Sequence, residues 1–217
     1  KDLIKRYGEG SYAVITGASD GIGKAFCFAL ARRGFNIVLV ARNQAKTEQV
    51  EKEIRQKYSS VRTKIVIADF AQSNQESFFK QIMEQVRGLD VSMLINNVGV
   101  GHGHYLVKLP EEQLKELINV NCIPQAVLSR HFAEKFIERK SRSCIIAISS
   151  FTASFPMPVL QTYGATKSFN DYFSRSISLE YPEIDILSVR PGYVDTTINK
   201  NVRQKILLID TEKCVEA

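Results

Sequence analysis

The sequence predicts an α/β fold in one domain. Short apolar runs of strand length alternate along the chain with longer segments whose apolar residues recur at helical spacing. The first run, Tyr12–Thr16, passes directly into a glycine cluster and then a helix. A late run ends in a Pro-Gly turn, at the carboxyl edge where open α/β sheets bind ligands. With 217 residues, 44% of them hydrophobic, the chain is long enough for one sizeable core, and no repeat, low-complexity tract or interdomain linker divides it.

Residues 1–10 read as a polar lead-in. Tyr12–Thr16 is a buried strand, followed by Gly17-Ala18-Ser19-Asp20-Gly21-Ile22-Gly23 and a helix from about Gly23 to Arg33. A strand, a glycine-rich turn and a helix N-terminus together form an anion site: glycines let the backbone approach a pyrophosphate, and the unpaired N–H groups of the first helical turn point at it. The glycine spacing, Gly-x-x-x-Gly-x-Gly, differs from the more common Gly-x-Gly-x-x-Gly. Gly34 is a candidate C-cap, and Asn36–Ala41 is the second strand. An NAD site places an acid about twenty residues on, against the ribose hydroxyl, whereas an arginine accommodates the extra phosphate of NADP. Arg42 stands there and the acid is missing, so NADP is the expected cofactor.

A charged helix is expected over Gln44–Lys57 and a strand over Thr63–Ile67. Asp69 then either contacts an adenine amino group or caps the following turn. Phe78, Phe79, Ile82 and Val86 recur at helical spacing and should face the core. Val91–Ile95 is the fourth strand, ending in Asn96-Asn97-Val98-Gly99, where the amides can brace neighbouring strands and Gly99 permits close cofactor approach. The loop Val100-Gly101-His102-Gly103-His104-Tyr105 lacks a convergent third ligand, so no metal site is expected and the loop reads as a wall of the substrate pocket. A long helical region should run from Pro110 to about Arg139 with Asn121 in its interior, either as a satisfied core amide or as part of a proton relay. Cys144–Ile148 is a strand ending at Ser149-Ser150. The following helix should reach Glu180, with Phe169, Tyr172, Phe173 and Ile177 as its apolar stripe. Ile184–Val189 is the last strand, leading into Arg190-Pro191-Gly192-Tyr193-Val194-Asp195-Thr196.

Chemistry concentrates where Tyr163 and Lys167 stand four residues apart, on one helix face. A cation beside a phenol favours phenolate and lowers its pKa from about 10. Such a tyrosine can give a proton to a carbonyl oxygen or take one from an alcohol. Ser150, thirteen positions earlier at a strand end, can bond the same oxygen.

The net charge of +6 suits a phosphate-rich cofactor, an anionic acyl carrier or a membrane surface. No aromatic-and-basic recognition motif accompanies it, so nucleic acid is not expected. Four scattered cysteines without Cys-x-x-Cys read as reduced thiols of an intracellular protein. No apolar run is long enough to span a membrane.

The ordered set Thr16–Gly23, Asn96–Gly99, Asn121, Ser150, Tyr163-Gly164-Ala165-Thr166-Lys167 and Pro191-Gly192 resembles the short-chain dehydrogenase/reductase family over nearly the whole chain. The resemblance implies a Rossmann-type doubly wound parallel sheet ordered 3-2-1-4-5-6, helices on both faces, and hydride transfer between nicotinamide and a carbonyl or alcohol carbon. By position it makes Tyr163 the general acid/base, Ser150 the holder of the substrate oxygen, Lys167 the ribose-binding residue that lowers the tyrosine pKa, and Asn121 the residue that positions a water linking Lys167 to solvent. It assigns cofactor contacts to Gly17, Ser19, Gly21, Ile22, Gly23, Arg42, Asp69, Asn97, Gly99, Tyr163, Lys167, Pro191, Gly192, Val194 and Thr196. Ser-Asp-Gly-Ile-Gly-Lys, Val-Ala-Arg and Ile-Asn-Asn-Val-Gly look most like the branch of 17β-hydroxysteroid dehydrogenases and very-long-chain 3-oxoacyl-CoA reductases. That branch implies an NADPH-dependent reductase of an apolar ketone, a 3-oxoacyl-CoA of fatty acid elongation ahead of a steroid. It also implies a homodimer, and attachment to the cytoplasmic side of the endoplasmic reticulum membrane through a segment outside this chain. Against that branch the chain reads as shortened at both ends, with Lys200–Ile209 as part of a substrate flap whose Ile206-Leu207-Leu208-Ile209 lines an apolar pocket, touches a membrane or packs on the core. A non-catalytic NADP-binding scaffold or sensor is the alternative from another class.

Overall fold

The computed structural model describes residues 3–195 and 209–216. Thr196 and the stretch 200–208 of the expected flap lie outside them. Six strands, β1 (Tyr12–Thr16), β2 (Asn36–Ala41), β3 (Thr63–Ile67), β4 (Val91–Asn96), β5 (Ser143–Ile148) and β6 (Ile184–Val189), form one sheet in the order β3-β2-β1-β4-β5-β6. All five pairings are parallel. The expected sheet and strand order are therefore found, and β2 and β4 are buried along their full length.

Side chains alternate across each strand, so both faces must be covered. On one face Ala13, Ile15, Ile37, Leu39 and Ile95 pack with Phe26, Leu30, Val50 and Ile54 of α2 (Gly21–Arg32) and α3 (Gln44–Lys57). On the other, Val14, Val38, Leu94 and Ile145 pack with α4 (Phe78–Gln85) and α6 (Ile123–Glu138), through Phe78, Phe79, Ile82, Leu128 and Phe132. The order reverses direction between β1 and β4, which opens a crevice beyond their carboxyl ends.

Four local expectations need correction. The lead-in is not bare: Leu3–Tyr7 is a short helix, α1, whose Arg6 grips Asp185 of β6 at 2.6 and 2.8 Å while the Tyr7 hydroxyl donates to the same carboxylate at 3.0 Å. Helix α2 begins at Gly21 rather than Gly23, because Asp20 caps it. The long helix splits into α5 (Glu111–Asn121) and α6 at Cys122, so Asn121 closes α5 instead of lying mid-helix. Pro124 explains the break, since it has no N–H to give Val120 and its ring crowds that carbonyl. The inward face of α7 (Gln161–Glu180) is polar, formed by Thr166, Lys167, Asn170, Asp171 and Ser174, whereas Phe169 and Tyr172 are exposed. Hydrogen bonds seat that face: Gln125 Nε2 donates to the Asn170 carbonyl and to Ser174 Oγ, both at 3.0 Å, and Ser188 Oγ donates to Asp171 at 2.7 Å.

Candidate functional site

A cleft of about 540 Å³ runs along the carboxyl edge of the sheet, lined from Gly17 and Ser19–Ile22 through Arg42, Asp69 and Asn97–His102 to Ser150, Tyr163, Lys167, Pro191, Gly192 and Val194. Its first end is the glycine turn. Gly17 and Gly21 hold φ of +67° and +53°, values that glycine adopts readily. A Cβ on Gly23 would come within 2.2 Å of the Gly17 carbonyl oxygen, so α2 meets the turn with no room for a side chain. Thr16 Oγ1 donates to the Ile95 carbonyl at 3.2 Å and accepts from the N–H groups of Asn97 and Val98, both at 3.0 Å. Asn97 Nδ2 donates to the Thr16 carbonyl at 2.8 Å. The side chain of Asn97 is thus a brace between β1 and β4, as strand-end amides were expected to be.

Past the turn, Arg42 is exposed on the cleft wall, followed by Asn43 and Lys46. Asn43 Oδ1 accepts from the Lys46 N–H at 3.0 Å and starts α3. Asp69 takes its capping role, Oδ1 accepting from the Ala71 N–H at 3.1 Å, while also lining the cleft.

The far end holds Ser150, Tyr163 and Lys167. Ser150 leaves β5 in extended backbone, its Oγ accepting from the Thr152 N–H at 3.2 Å. Lys167 is buried: its Nζ donates to the Ile148 carbonyl at 2.9 Å and lies 5.8 Å from the centre of the Tyr163 ring. Ser149 Oγ ties the start of the loop to the Lys167 carbonyl at 2.7 Å. Burial pushes the Lys167 ammonium down to about 8. Burial also raises the Tyr163 phenol above its ordinary value, with the Ser150 hydroxyl pulling it partly back. The expected lowering by the neighbouring ammonium is therefore absent from this cleft. The cation sits over the ring and spends a hydrogen bond on Ile148, and desolvation disfavours phenolate more strongly.

Asn121 does not line the cleft; it stands behind Gly99, next to Lys167. Its Oδ1 accepts from the Val100 N–H at 2.8 Å, and its Nδ2 donates to the Val100 carbonyl and to Thr166 Oγ1, both at 3.0 Å. That is a satisfied core amide holding the loop wall. His102 completes the wall, its Nε2 2.8 Å from Glu116 Oε2. Among the described residues no group of three His, Cys, Asp or Glu side chains gathers as a metal site.

Lys46, Glu116 and Val120 line the cleft without having been singled out. Glu116 and Val120 are four apart on α5 and share one face, so helix phase could have found them together. Lys46 had only its place in the first turn of α3 after Arg42. A dinucleotide fits this cleft. Gly17 and Gly21 present bare backbone to the cleft, the twelve-residue α2 starts at that turn, and two cations, Arg42 and Lys46, stand on the wall after β2.

Known proteins share both the sequence and the fold. Very-long-chain 3-oxoacyl-CoA reductase of Anas platyrhynchos is 38% identical over 199 residues, covering 89% of this chain and 62% of that protein. The human protein named inactive hydroxysteroid dehydrogenase-like protein 1 is 39% identical over 201 residues, covering 91% of this chain and 59% of its own length. A short-chain dehydrogenase from Sphingobium yanoikuyae, solved in complex with NADPH, superposes with a TM-score of 0.87 at 26% identity, over 95% of this chain and 82% of that one. The family model described as short chain dehydrogenase matches residues 11–207. With that match added to the parallel sheet and the glycine turn, the chain belongs to the short-chain dehydrogenase family.

Proposed function

We propose that this chain is an NADPH-dependent reductase of an apolar carbonyl compound, a 3-oxoacyl-CoA in fatty acid elongation. The observation that carries the reading is one continuous cleft with the glycine turn at one end and Ser150, Tyr163 and Lys167 at the other. NADPH, when bound, supplies the hydride. The glycine turn, with Ser19 and Ile22, holds the diphosphate against the N-terminus of α2. Arg42 and Lys46 meet the 2′-phosphate, Asp69 lies toward the adenine, and Asn97 and Gly99 shape the middle of the floor. Lys167 would hold the nicotinamide-side ribose, and Pro191, Gly192 and Val194 would close the amide end. Ser150 and Tyr163 bind the substrate carbonyl oxygen, and Tyr163 donates the proton to that oxygen as the carbon is reduced. The raised phenol suits this direction, because a general acid must hold its proton at working pH. We assign Asn121 a positioning role, through Val100 and Thr166, with any water relay running past it to Lys167.

The acyl thioester is supported by the name of the 38%-identical relative and by the net charge of +6, which suits the phosphates of coenzyme A. A 17β-hydroxysteroid is the alternative substrate, supported by sequence likeness to that branch. A non-catalytic NADP-binding scaffold or sensor is the reading from another class, and the word inactive in the name of the 39%-identical relative favours loss of catalysis. The full set of Ser150, Tyr163 and Lys167 on one cleft wall speaks for turnover. We assign a homodimer, with Phe169 and Tyr172, exposed on α7, as the candidate contact. Attachment to the endoplasmic reticulum membrane belongs to the same reading and needs chain outside the described residues, where no helix is long and apolar enough to cross a bilayer. A panel of 3-oxoacyl-CoAs and 17-ketosteroids, followed by NADPH absorbance, tests the function. Turnover of the thioesters alone is expected; turnover of steroids alone, or of neither, overturns it.

A further inference from the structure

One buried carboxylate has no part in the chemistry above. Asp171 is 7% exposed and stands four residues past Lys167 on α7, which is itself four past Tyr163, so the three side chains follow one another along one helix face. Asp171 does not line the cleft. A buried carboxylate is costly unless donors satisfy it. Ser188 Oγ on β6 donates to its Oδ1 at 2.7 Å, and Arg175, one turn on in α7, donates through Nε to its Oδ2 at 3.0 Å. Arg190 Nε, just past the end of β6, stands 3.9 Å from Oδ1.

Arg190 reaches in two directions. Its Nη1 donates to Ser154 Oγ at 3.3 Å, on the stretch that follows Ser150, and its backbone leads into Pro191 and Gly192 of the cleft wall. Two backbone bonds run alongside. The Ser149 N–H donates to the Val189 carbonyl at 2.8 Å, and the Phe151 N–H donates to the Pro191 carbonyl at 2.9 Å, so Ser150 is tied on both sides to the end of β6. The pieces of chain that carry Tyr163 with Lys167, Ser150, and the Pro191-Gly192 wall therefore meet at Asp171 and Arg190. Arg175 differs in kind: it is exposed and shares a helix with its partner, so its bond joins no two pieces.

We propose that Asp171 is a positioning residue: with Ser188 and Arg190 it sets the roll of α7 against β6 and the Ser150 loop, and so keeps Tyr163 and Ser150 aimed at one substrate oxygen. The inference rests on the carbonyl reading above and adds to it a residue that touches neither substrate nor cofactor. The make-up of α7 selects this role. Its buried residues are all polar, Thr166, Lys167, Asn170, Asp171 and Ser174. Apolar burial is non-directional and leaves a helix free to roll, whereas hydrogen bonds fix an angle. Of these five, Asp171 is the one whose side chain bonds to β6. A misplacement of about 1 Å between reacting groups costs on the order of 100-fold in rate, so a small roll of α7 is enough to matter.

The test is a double-mutant cycle read in single-turnover reduction of 3-oxobutyryl-CoA by the NADPH-loaded protein. Asp171→Ala is expected to slow the step about 10–100-fold, with substrate KM and NADPH Kd each within about 3-fold of wild type. Asp171→Asn keeps an acceptor for Ser188 and should recover the rate to within about 3-fold. In a Ser150→Ala background there is no hydroxyl left to place, so Asp171→Ala should cost less than about 3-fold there. Arg175→Gln should leave the rate within about 2-fold of wild type. Equal losses with and without Ser150, an Asn variant as slow as the Ala one, or NADPH binding that falls as far as the rate overturns the proposal. Amide hydrogen exchange decides the same point without turnover: the Phe151 and Thr152 amides should exchange at least about 10-fold faster in Asp171→Ala, while those of β1 and β4 keep their protection. Unchanged exchange at Phe151 overturns the proposal. If Asp171→Ala does not fold, Ser188→Ala takes its place in both experiments. A wild-type protein that reduces no 3-oxoacyl-CoA refutes the carbonyl reading, and the exchange result still decides whether Asp171 holds the Ser150 loop.

Discussion

Replacing Asn121 by alanine removes three hydrogen bonds from a side chain that is 1% exposed. The Val100 N–H and carbonyl lose their partners together, and Thr166 Oγ1 loses a donor while keeping its own donation to the Tyr163 carbonyl at 2.7 Å. A fully buried unsatisfied backbone group costs about 1–3 kcal/mol. Val100 is half-buried, so water recovers part of that at each group and the lower end of the range applies to both. Adding the lost donation to Thr166 gives a destabilisation of about 3 kcal/mol, a large fraction of the total stability of a domain this size. Urea unfolding should show a lower midpoint with an unchanged slope. The loop wall is the part released, so substrate KM should rise more than NADPH Kd. A destabilisation under about 1 kcal/mol, or a KM that stays put, would refute the assignment of Asn121 as the holder of that wall.

Gly23→Ala should weaken NADPH binding at least about 10-fold and destabilise by about 1–3 kcal/mol, because its Cβ would press within 2.2 Å of the Gly17 oxygen and 2.5 Å of Asn97 Nδ2; nucleotide titration by fluorescence and urea unfolding check both. Arg42→Asp should shift preference toward NADH by about 10–100-fold, the worth of a charge-assisted bond to phosphate, read as the ratio of kcat/KM for the two nucleotides; an unchanged ratio removes Arg42 from the phosphate. Burial lowers Lys167 from 10.5 to about 8, so between those values the unfolded chain holds a proton that the folded chain has released. Stability should therefore rise as pH increases across that window, by on the order of 3 kcal/mol from this group, and the rise should vanish in Lys167→Met. Equal urea midpoint profiles for the two proteins between pH 7 and 10.5 would contradict that.

Most of the sheet was legible because β2 and β4 are buried on both faces and read as continuous apolar runs. The glycine turn was legible because strand, turn and helix each carry their own local signal. Helix α7 was misread for a physical reason: its buried face is held by hydrogen bonds from Gln125 and Ser188, and a search for apolar periodicity finds the exposed Phe169 and Tyr172 instead. The split at Cys122 is encoded by Pro124, which helical periodicity alone does not weigh. Residues such as Glu116 and Lys46 become part of the cleft only through the packing of α5 and α3 against the loops, which no local window contains. The direction of the Tyr163 shift depends on how deeply its own phenol is buried and on the reach of the Ser150 hydroxyl. Sequence spacing does not encode either.

The measurement closest to the central claim is single-turnover reduction of a 3-oxoacyl-CoA by Tyr163→Phe, paired with its NADPH dissociation constant. Loss of a proton donor at the carbonyl oxygen predicts a rate lower by about 10²–10⁴-fold, with NADPH bound within about 3-fold of the wild-type affinity. Reduction at the wild-type rate by that variant would contradict the account.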